Sequence, residues 1–256
     1  MEEDASRLTE RQRNELAYHR QHAREHEDMV RRPFSFDVLD RPGRRWWNGY
    51  WQMYAYLLTQ DLRGRRVLVV GCGFGEDALR LARLGAQVTA FDLSPDSLAI
   101  ARRLAAREGL VIDFGQMPAE CLIYADDSFD CIVARDILHH VDIPAAMREI
   151  RRVARPQALL VVNEIYSHSL TDTIRRSRFV EAFLYPRMQR LIYGPDSRTS
   201  RRTSARCRST ISRWCERSCP GWRCRATSTF SSRAYCPTRR GGWPCSTGCC
   251  WWHCGR

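Results

Sequence analysis

The sequence predicts an α/β fold, a doubly wound and mostly parallel sheet with helices on both faces. Three observations carry this expectation. Short β-branched runs alternate with amphipathic helical segments from about Arg65 to Glu164. The runs are continuously apolar, as strands buried on both faces are. The first run ends in three closely spaced glycines, Gly71, Gly73 and Gly75, which open the next helical segment.

Taken in order, residues from about Ala5 to Met29 are polar and charged, and suit a solvated helix or a mobile arm. The segment "RRWWNGYWQMYAYLLTQDL" then gathers Trp46, Trp47, Trp51, Tyr54, Tyr56 and Leu57. A helix burying aromatic rings against the main domain is expected there, with a lid over a substrate pocket as the functional alternative. "RRVLVVGCGFG" is a strand ending in glycines, and "EDALRLARLG" a helix stopped by Gly85. "AQVTAFD" is a strand. "SPDSLAIARRLAAREG" is a helix capped by Ser94, with Pro95 in its first turn and Gly109 as its stop. "LVIDFGQ" and "FDCIVARDILHH" are strands, "IPAAMREIRRVARP" a helix closed by Pro156, and "QALLVVNEI" a fifth strand. "SLTDTIRRSRFVEAFLYPRMQRLIYG" is mostly helical in pattern.

In a doubly wound sheet, ligands sit at the carboxyl ends of the strands, near the point where strand order reverses. Glycines after the first strand let a backbone approach a ligand closely, and the following helix offers free N–H groups. Asp92 ends the second strand, 21 positions after Gly71, where a carboxylate can accept from ribose hydroxyls. The dinucleotide fingerprint places its third glycine one position later than "GCGFG" does. No basic residue lies in the loop, and Glu76 and Asp77 start the helix. That acidic start disfavours a pyrophosphate and tolerates a cationic sulfonium carrying an amino acid.

These residues resemble a known family. "VLVVGCGFGEDALRLARLGAQVTAFDLSPDSLAIARR" and "ADDSFDCIVARDILHHVDIPAAMREIRRVARPQALLVVNE" resemble successive motifs of class I S-adenosylmethionine-dependent methyltransferases. The branch is the one that includes quinone-biosynthesis and many small-molecule enzymes. The resemblance runs from about Arg65 to Glu164. It implies a Rossmann-like fold and an S-adenosylmethionine-binding set of Gly71, Cys72, Gly73, Gly75, Asp92, Leu93, Ala119 and Arg135. Gly71 and Gly73 would border the methionine part, Asp92 the ribose and Leu93 the adenine. Pro118 stands where the family often has an aspartate for the adenine amine, which leaves that contact to the backbone near Ala119. Val69 or Val70 stands where an acid often precedes the loop. His139 and His140 are candidate catalytic residues for positioning or deprotonating an acceptor hydroxyl, or else parts of a turn leading into a helix. A nucleotide-cofactor oxidoreductase of the NAD type and a non-catalytic binding protein of methyltransferase fold are the alternatives. No metal site is expected, because the body lacks Cys and His at ligand spacing.

Composition divides the chain. All 41 basic residues are arginine. From Arg198 onward there are thirteen arginines and one acid, Glu216, so this tail carries the whole net charge of +12. The basic balance is therefore no sign that the body binds nucleic acid. Cys72, Cys121 and Cys131 lie in the body and nine further cysteines in the tail. No apolar run is long enough for a membrane span, and the charged start is unlike a signal peptide, so a reducing cytoplasm is the expected home.

The tail's wealth of Cys and Trp has a reading in the genetic code. Both residues have codons beginning TG. One base earlier, each TG closes a codon for Leu, Met or Val, so all the tail's cysteines and tryptophans become aliphatic. The expectation is a reading frame shifted near Gly194 to Arg198, with a zinc module or an arginine-rich nucleic-acid tail as rivals. The division is thus 1–60, an N-terminal helical arm or cap; 61–194, the cofactor-binding domain; and 195–256, a disordered out-of-frame tail. The C-terminal hairpin of the fold is expected to be missing or garbled. Such a chain has an unpaired sheet edge and poor solubility.

Overall fold

The computed structural model describes residues 8–164, together with the backbone of residues 222–228 and 248–254. The strands are β1 (Arg66–Val70), β2 (Gln87–Asp92), β3 (Ile112–Gln116), β4 (Phe129–Arg135), β5 (Ala154–Asn163), β6 (Trp222–Ser228) and β7 (Gly248–Cys254). The helices are α1 (Glu10–Glu25), α2 (Asp37–Asp40), α3 (Gly49–Leu57), α4 (Glu76–Arg83), α5 (Pro95–Arg107) and α6 (Ile143–Val153). Two short 3₁₀ turns, Glu27–Val30 and Pro42–Arg45, link the first three helices.

The sheet order is β3-β2-β1-β4-β5-β7-β6. The first five strands are parallel; β7 pairs antiparallel to β5, and β6 antiparallel to β7. Strand order reverses between β1 and β4, which are direct neighbours, with Val70 in register with Ala134. The crevice beyond their carboxyl ends is thus the expected ligand site.

Alternation along each strand sorts the core into two faces. Leu68, Val70, Ile132, Ala134, Leu160 and Val162 pack with Ile143, Met147 and Ile150 of α6. Val67, Val69, Val88, Cys131, Val133 and Val161 pack with Trp51, Met53, Tyr54 and Leu57 of α3 and with Leu81 of α4. Both faces are covered, which is why these strands read as unbroken apolar runs.

Most predicted boundaries hold to within a residue or two. Ser94 caps α5 by accepting from Ser97 N–H, and Gly85 and Gly109 follow α4 and α5 at φ 85° and 64°. Two boundaries differ: β4 ends at Arg135 instead of running on to His140, and α6 ends at Val153 with β5 starting at Ala154, so Pro156 lies among the first residues of a strand rather than closing the helix. Proline fits there because the pairing is irregular between Phe129 and Cys131 and the neighbouring residues Pro156 and Gln157 are exposed. The aromatic helix forms as expected and buries Trp51 and Tyr54. Trp46 and Trp47 precede it and stay outside, 59% and 53% exposed.

The C-terminal hairpin was expected to be missing or garbled. The backbone of β6 and β7 occupies that place in the sheet. Its residues supply a reason: Trp222-Arg223-Cys224-Arg225-Ala226-Thr227 alternates apolar and polar types, and aromatic residues suit strands. The remainder of 195–256, and the helical pattern from Ser169 to Gly194, lie outside the described residues.

Candidate functional site

The glycine-loop side of the site is built from one stretch of chain. Gly71, Gly73 and Gly75 all adopt positive φ, at 61°, 53° and 81°, where L-residues are strained. Their environments differ. A Cβ on Gly71 would lie 2.5 Å from Ile137 Cδ1, and one on Gly75 2.9 Å from the Ala101 Cβ. A Cβ on Gly73 would meet nothing within 4 Å. Gly71 and Gly75 are required by the protein's own packing, whereas Gly73 borders open space that a ligand can use.

Asp92 closes this loop. Its Oδ2 accepts from Gly73 N–H at 2.8 Å and its Oδ1 from Ser94 N–H at 2.9 Å. The carboxylate is buried at the end of β2 yet retains lone pairs beyond those two bonds. Leu93 is half-buried beside it, and Ala119 is buried past the end of β3. Cys72 turns its thiol inward, with Sγ 3.8 Å from the Gly73 carbonyl oxygen. Burial, reinforced by Asp92, pushes that thiol well above its ordinary pKa, so Cys72 is a packing residue and no nucleophile.

Arg135 is committed to the protein's own carboxylates. Its Nε donates to Asp77 Oδ2 at 2.5 Å and its Nη1 to Asp136 at 3.1 Å, with Glu76 at 3.6 Å. Tyr54 donates its hydroxyl to Asp77 Oδ1 at 2.5 Å. This network joins β4, α4 and α3 behind the glycine loop. Burial opposes charge on Asp77, but Arg135, Arg80 and the Tyr54 hydrogen bond outweigh it and hold its carboxyl below the ordinary range. Sequence reasoning placed Arg135 at the pocket; it did not foresee that Asp77 and Tyr54 would hold it.

The other side of the crevice carries the histidine pair. The rings of His139 and His140 lie 4.0 Å apart between centroids. Glu164, buried just past β5, accepts from Ile137 and Leu138 N–H with Oε1, at 2.7 and 2.6 Å. Its Oε2 lies 2.9 Å from His139 Nδ1. Burial disfavours charge on His139, yet Glu164, with help from Asp136 and Glu15, wins and raises its pKa. Asp136 sits beside them at φ 52°, in the left-handed region, with its N–H donating to the Asn163 carbonyl. Burial first, then Glu164, raises its pKa against the pull of Arg135. The Asn163 side-chain nitrogen is buried with no partner among the described residues.

The structure therefore brings the glycine loop, Asp92, Leu93, Arg135 and the histidine pair to the carboxyl ends of β1, β2 and β4, around one crevice. Glu164 was missed, although an acid at the carboxyl end of a strand is the same signal that singled out Asp92. Among the described residues no group of His, Cys, Asp and Glu is arranged to hold a metal ion.

A parallel, doubly wound sheet with a glycine loop open at Gly73 and an acid at the next strand end defines a nucleoside-cofactor-binding α/β domain. Residues 68–162 match the methyltransferase domain family. This stretch is similar to the cofactor-binding domain of class I S-adenosylmethionine-dependent methyltransferases. It is 41% identical over 121 residues to a ubiquinone biosynthesis O-methyltransferase of Methylocella silvestris, covering 47% of this chain and 45% of that one. It is 37% identical over 155 residues to the methyltransferase GfsG of Streptomyces halstedii, covering 59% of this chain and 54% of that one. The chain thus spans about half the length of these curated relatives. A solved structure titled for the conversion of a disulfide bond into a thioacetal group during echinomycin biosynthesis is 26% identical. It covers 79% of this chain and 81% of its own, with a TM-score of 0.54.

Proposed function

We propose that this chain transfers a methyl group from S-adenosylmethionine to a small-molecule acceptor. The observation that carries the reading is the loop from Gly71 to Gly75, sealed onto Asp92 and open only at Gly73. Gly71, Cys72, Gly73 and Gly75 would supply the backbone cradle, Asp92 the ribose contact, and Leu93 and Ala119 the adenine walls. Arg135 contributes by bracing the loop through Asp77. The donor set fits this cofactor: Glu76, Asp77 and Asp136 gather around Arg135, with Arg80 beside Asp77, a balance that suits a cationic ligand better than a pyrophosphate.

When bound, the cofactor supplies a sulfonium whose methyl group is electrophilic. The chain's part is to hold an acceptor in line, exclude water and take up a proton. His139 and His140 flank the acceptor side. His139, held by Glu164, favours its protonated form and acts as a donor that orients the acceptor. His140 is the residue left to accept a proton.

The curated relatives are named as methyltransferases, which favours methyl transfer over nicotinamide chemistry. Small-molecule partners and a cytoplasmic setting fit this reading; among the described residues no helix is long and apolar enough to cross a membrane. Calorimetry tests the cofactor assignment. S-adenosylhomocysteine and S-adenosylmethionine are expected to bind and NAD to give no heat. Binding of NAD alone would overturn the reading.

We also infer that 195–256 is translated out of frame from about Gly194 to Arg198, after an arm at 1–60 and a cofactor domain at 61–194. The support is compositional: nine cysteines, thirteen arginines and a single acid fall from Arg198 onward. Resequencing the gene tests it, and an uninterrupted frame through Gly194 with no aliphatic alternative downstream would refute it.

A further inference from the structure

The N-terminal helix α1 lies before the matched domain, yet it runs across the crevice. Thr9 starts it with a capping box, accepting from Gln12 N–H while Gln12 accepts from Thr9 N–H. From there its contacts go to the site one after another. Arg11 Nη2 donates to the His139 carbonyl at 2.6 Å. Gln12 Nε2 donates to Glu120 at 3.2 Å. Glu15 Oε2 lies 2.9 Å from His140 Nδ1, and Arg20 Nε lies 3.5 Å from Asp96. Farther along, the His22 and His26 rings rest on Phe74 of the glycine loop, at 5.2 and 5.8 Å between centroids.

Most residues making these contacts are polar. Gln12, Glu15, His19, His22 and His26 recur at spacings of three and four, so they share a helix face. Ala23 is the one buried residue of α1. A helix docked for packing alone buries an apolar stripe there. A polar stripe laid over a ligand crevice indicates that the helix contributes chemistry to it.

We propose that Glu15 is a positioning residue for His140. Its carboxylate holds the ring in the tautomer with the proton on Nδ1, which leaves Nε2 as the basic nitrogen. The inference rests on the reading that the histidine pair serves the methyl acceptor. The arrangement repeats what Glu164 does for His139, so each histidine of the pair has its own glutamate. One glutamate comes from the end of β5 and the other from a helix more than a hundred residues away in sequence. His140 draws the Glu15 carboxyl below its ordinary range, as a carboxylate engaged in this bond requires. Neighbouring contacts from Arg11 and Gln12 fix the turn that carries Glu15, so the carboxylate is placed by the helix rather than by its own flexibility. His19 stands on the next turn, its Nε2 3.9 Å from the same Glu15 oxygen and its ring 5.9 Å from the His140 ring.

The test reads ring nitrogens directly. Histidine-labelled full-length protein is examined by ¹⁵N NMR at about pH 8, where imidazoles are mostly neutral. His140 is assigned from a His140→Asn variant. In the parent protein His140 is expected as the Nδ1–H form. Glu15→Ala should move it to the Nε2–H form that a free histidine side chain prefers, whereas Glu15→Gln, which keeps an acceptor oxygen, should retain Nδ1–H. His139, held by Glu164, should not change in either variant. A parent His140 in the Nε2–H form, or ring shifts indifferent to Glu15→Ala, overturns the proposal. S-adenosylhomocysteine binding measured on the same three proteins separates the two ideas. Retained binding with an unresponsive ring refutes only the role of Glu15. A responsive ring with no binding in the parent refutes the methyltransferase reading and with it the purpose assigned to His140.

Discussion

The two walls of the crevice are made in opposite ways. The proposed cofactor wall comes from one continuous stretch, Gly71 to Ser94, in which a loop, a helix and a strand end close on each other through Asp92. The proposed acceptor wall is assembled from Glu15, His139, His140 and Glu164, and the Tyr54, Asp77 and Arg135 network that braces the loop from behind is built the same way, from residues that meet only in the folded chain. The first wall needs short-range geometry, and its residues are glycines and a cap. The second depends on buried charge, with every member held by a partner from another element. The difference is one of failure modes: the cofactor wall should lose ligand when altered, and the acceptor wall should lose stability or proton control.

Asp77→Ala should have the largest effect on stability. It removes the buried partner of Arg135 and of the Tyr54 hydroxyl, and breaking one side of such a pair costs about 3–5 kcal/mol. Urea titration measures it. The sign with pH follows from the lowered Asp77 carboxyl. Its contribution is fully present above the unfolded value, near about 4, and fades as pH falls through the lower folded value. The parent's advantage over Asp77→Ala should therefore shrink in acid.

The glycines offer a sharper contrast within one wall. Gly73→Ala should cost about 1–2 kcal/mol of stability from its positive φ alone, because space is open around it. Gly71→Ala should cost more, since Ile137 must also move. For S-adenosylhomocysteine the order should reverse per unit of stability lost, with Gly73→Ala the more damaging to affinity. Equal effects in both assays would show that Gly73 does not border the ligand.

Glu164→Gln should have the smallest effect on binding and a clear one on titration. His139 should titrate at lower pH than in the parent, because the carboxylate that outweighs burial is gone. The stability from the raised His139 value is present below its unfolded value, near about 6.5, and is lost as pH rises through the folded one. The variant should therefore lose stability chiefly on the acid side of that window, as seen by His139 NMR titration and melting at two pH values.

Much of the first wall was legible in the sequence because it is local. The β-branched run, three glycines, the Ser94 cap and an acid at the strand end each act within a few residues, and all fall where expected. Pro156 misled because its preference to end helices is real, but α6 had already ended at Val153 and the strand start tolerates it. Trp46 and Trp47 misled because burial of an aromatic depends on which side of Asn48, the cap of α3, it falls. The pairing of Glu15 with His140 left no local signal: nothing near Glu15 in sequence says that it meets His140. In the tail, apolar and polar residues alternate from Trp222 to Thr227, a strand signal submerged in a composition that argues for a shifted frame.

The central claim is that the loop and Asp92 form a nucleoside-cofactor site. The most direct measurement is calorimetric titration of S-adenosylhomocysteine into the parent protein and Asp92→Ala. The parent should bind at one site. The variant, which loses two charge-assisted backbone bonds and the ribose acceptor, should bind at least about 100-fold more weakly. Equal affinity in the two proteins would contradict the assignment of the site.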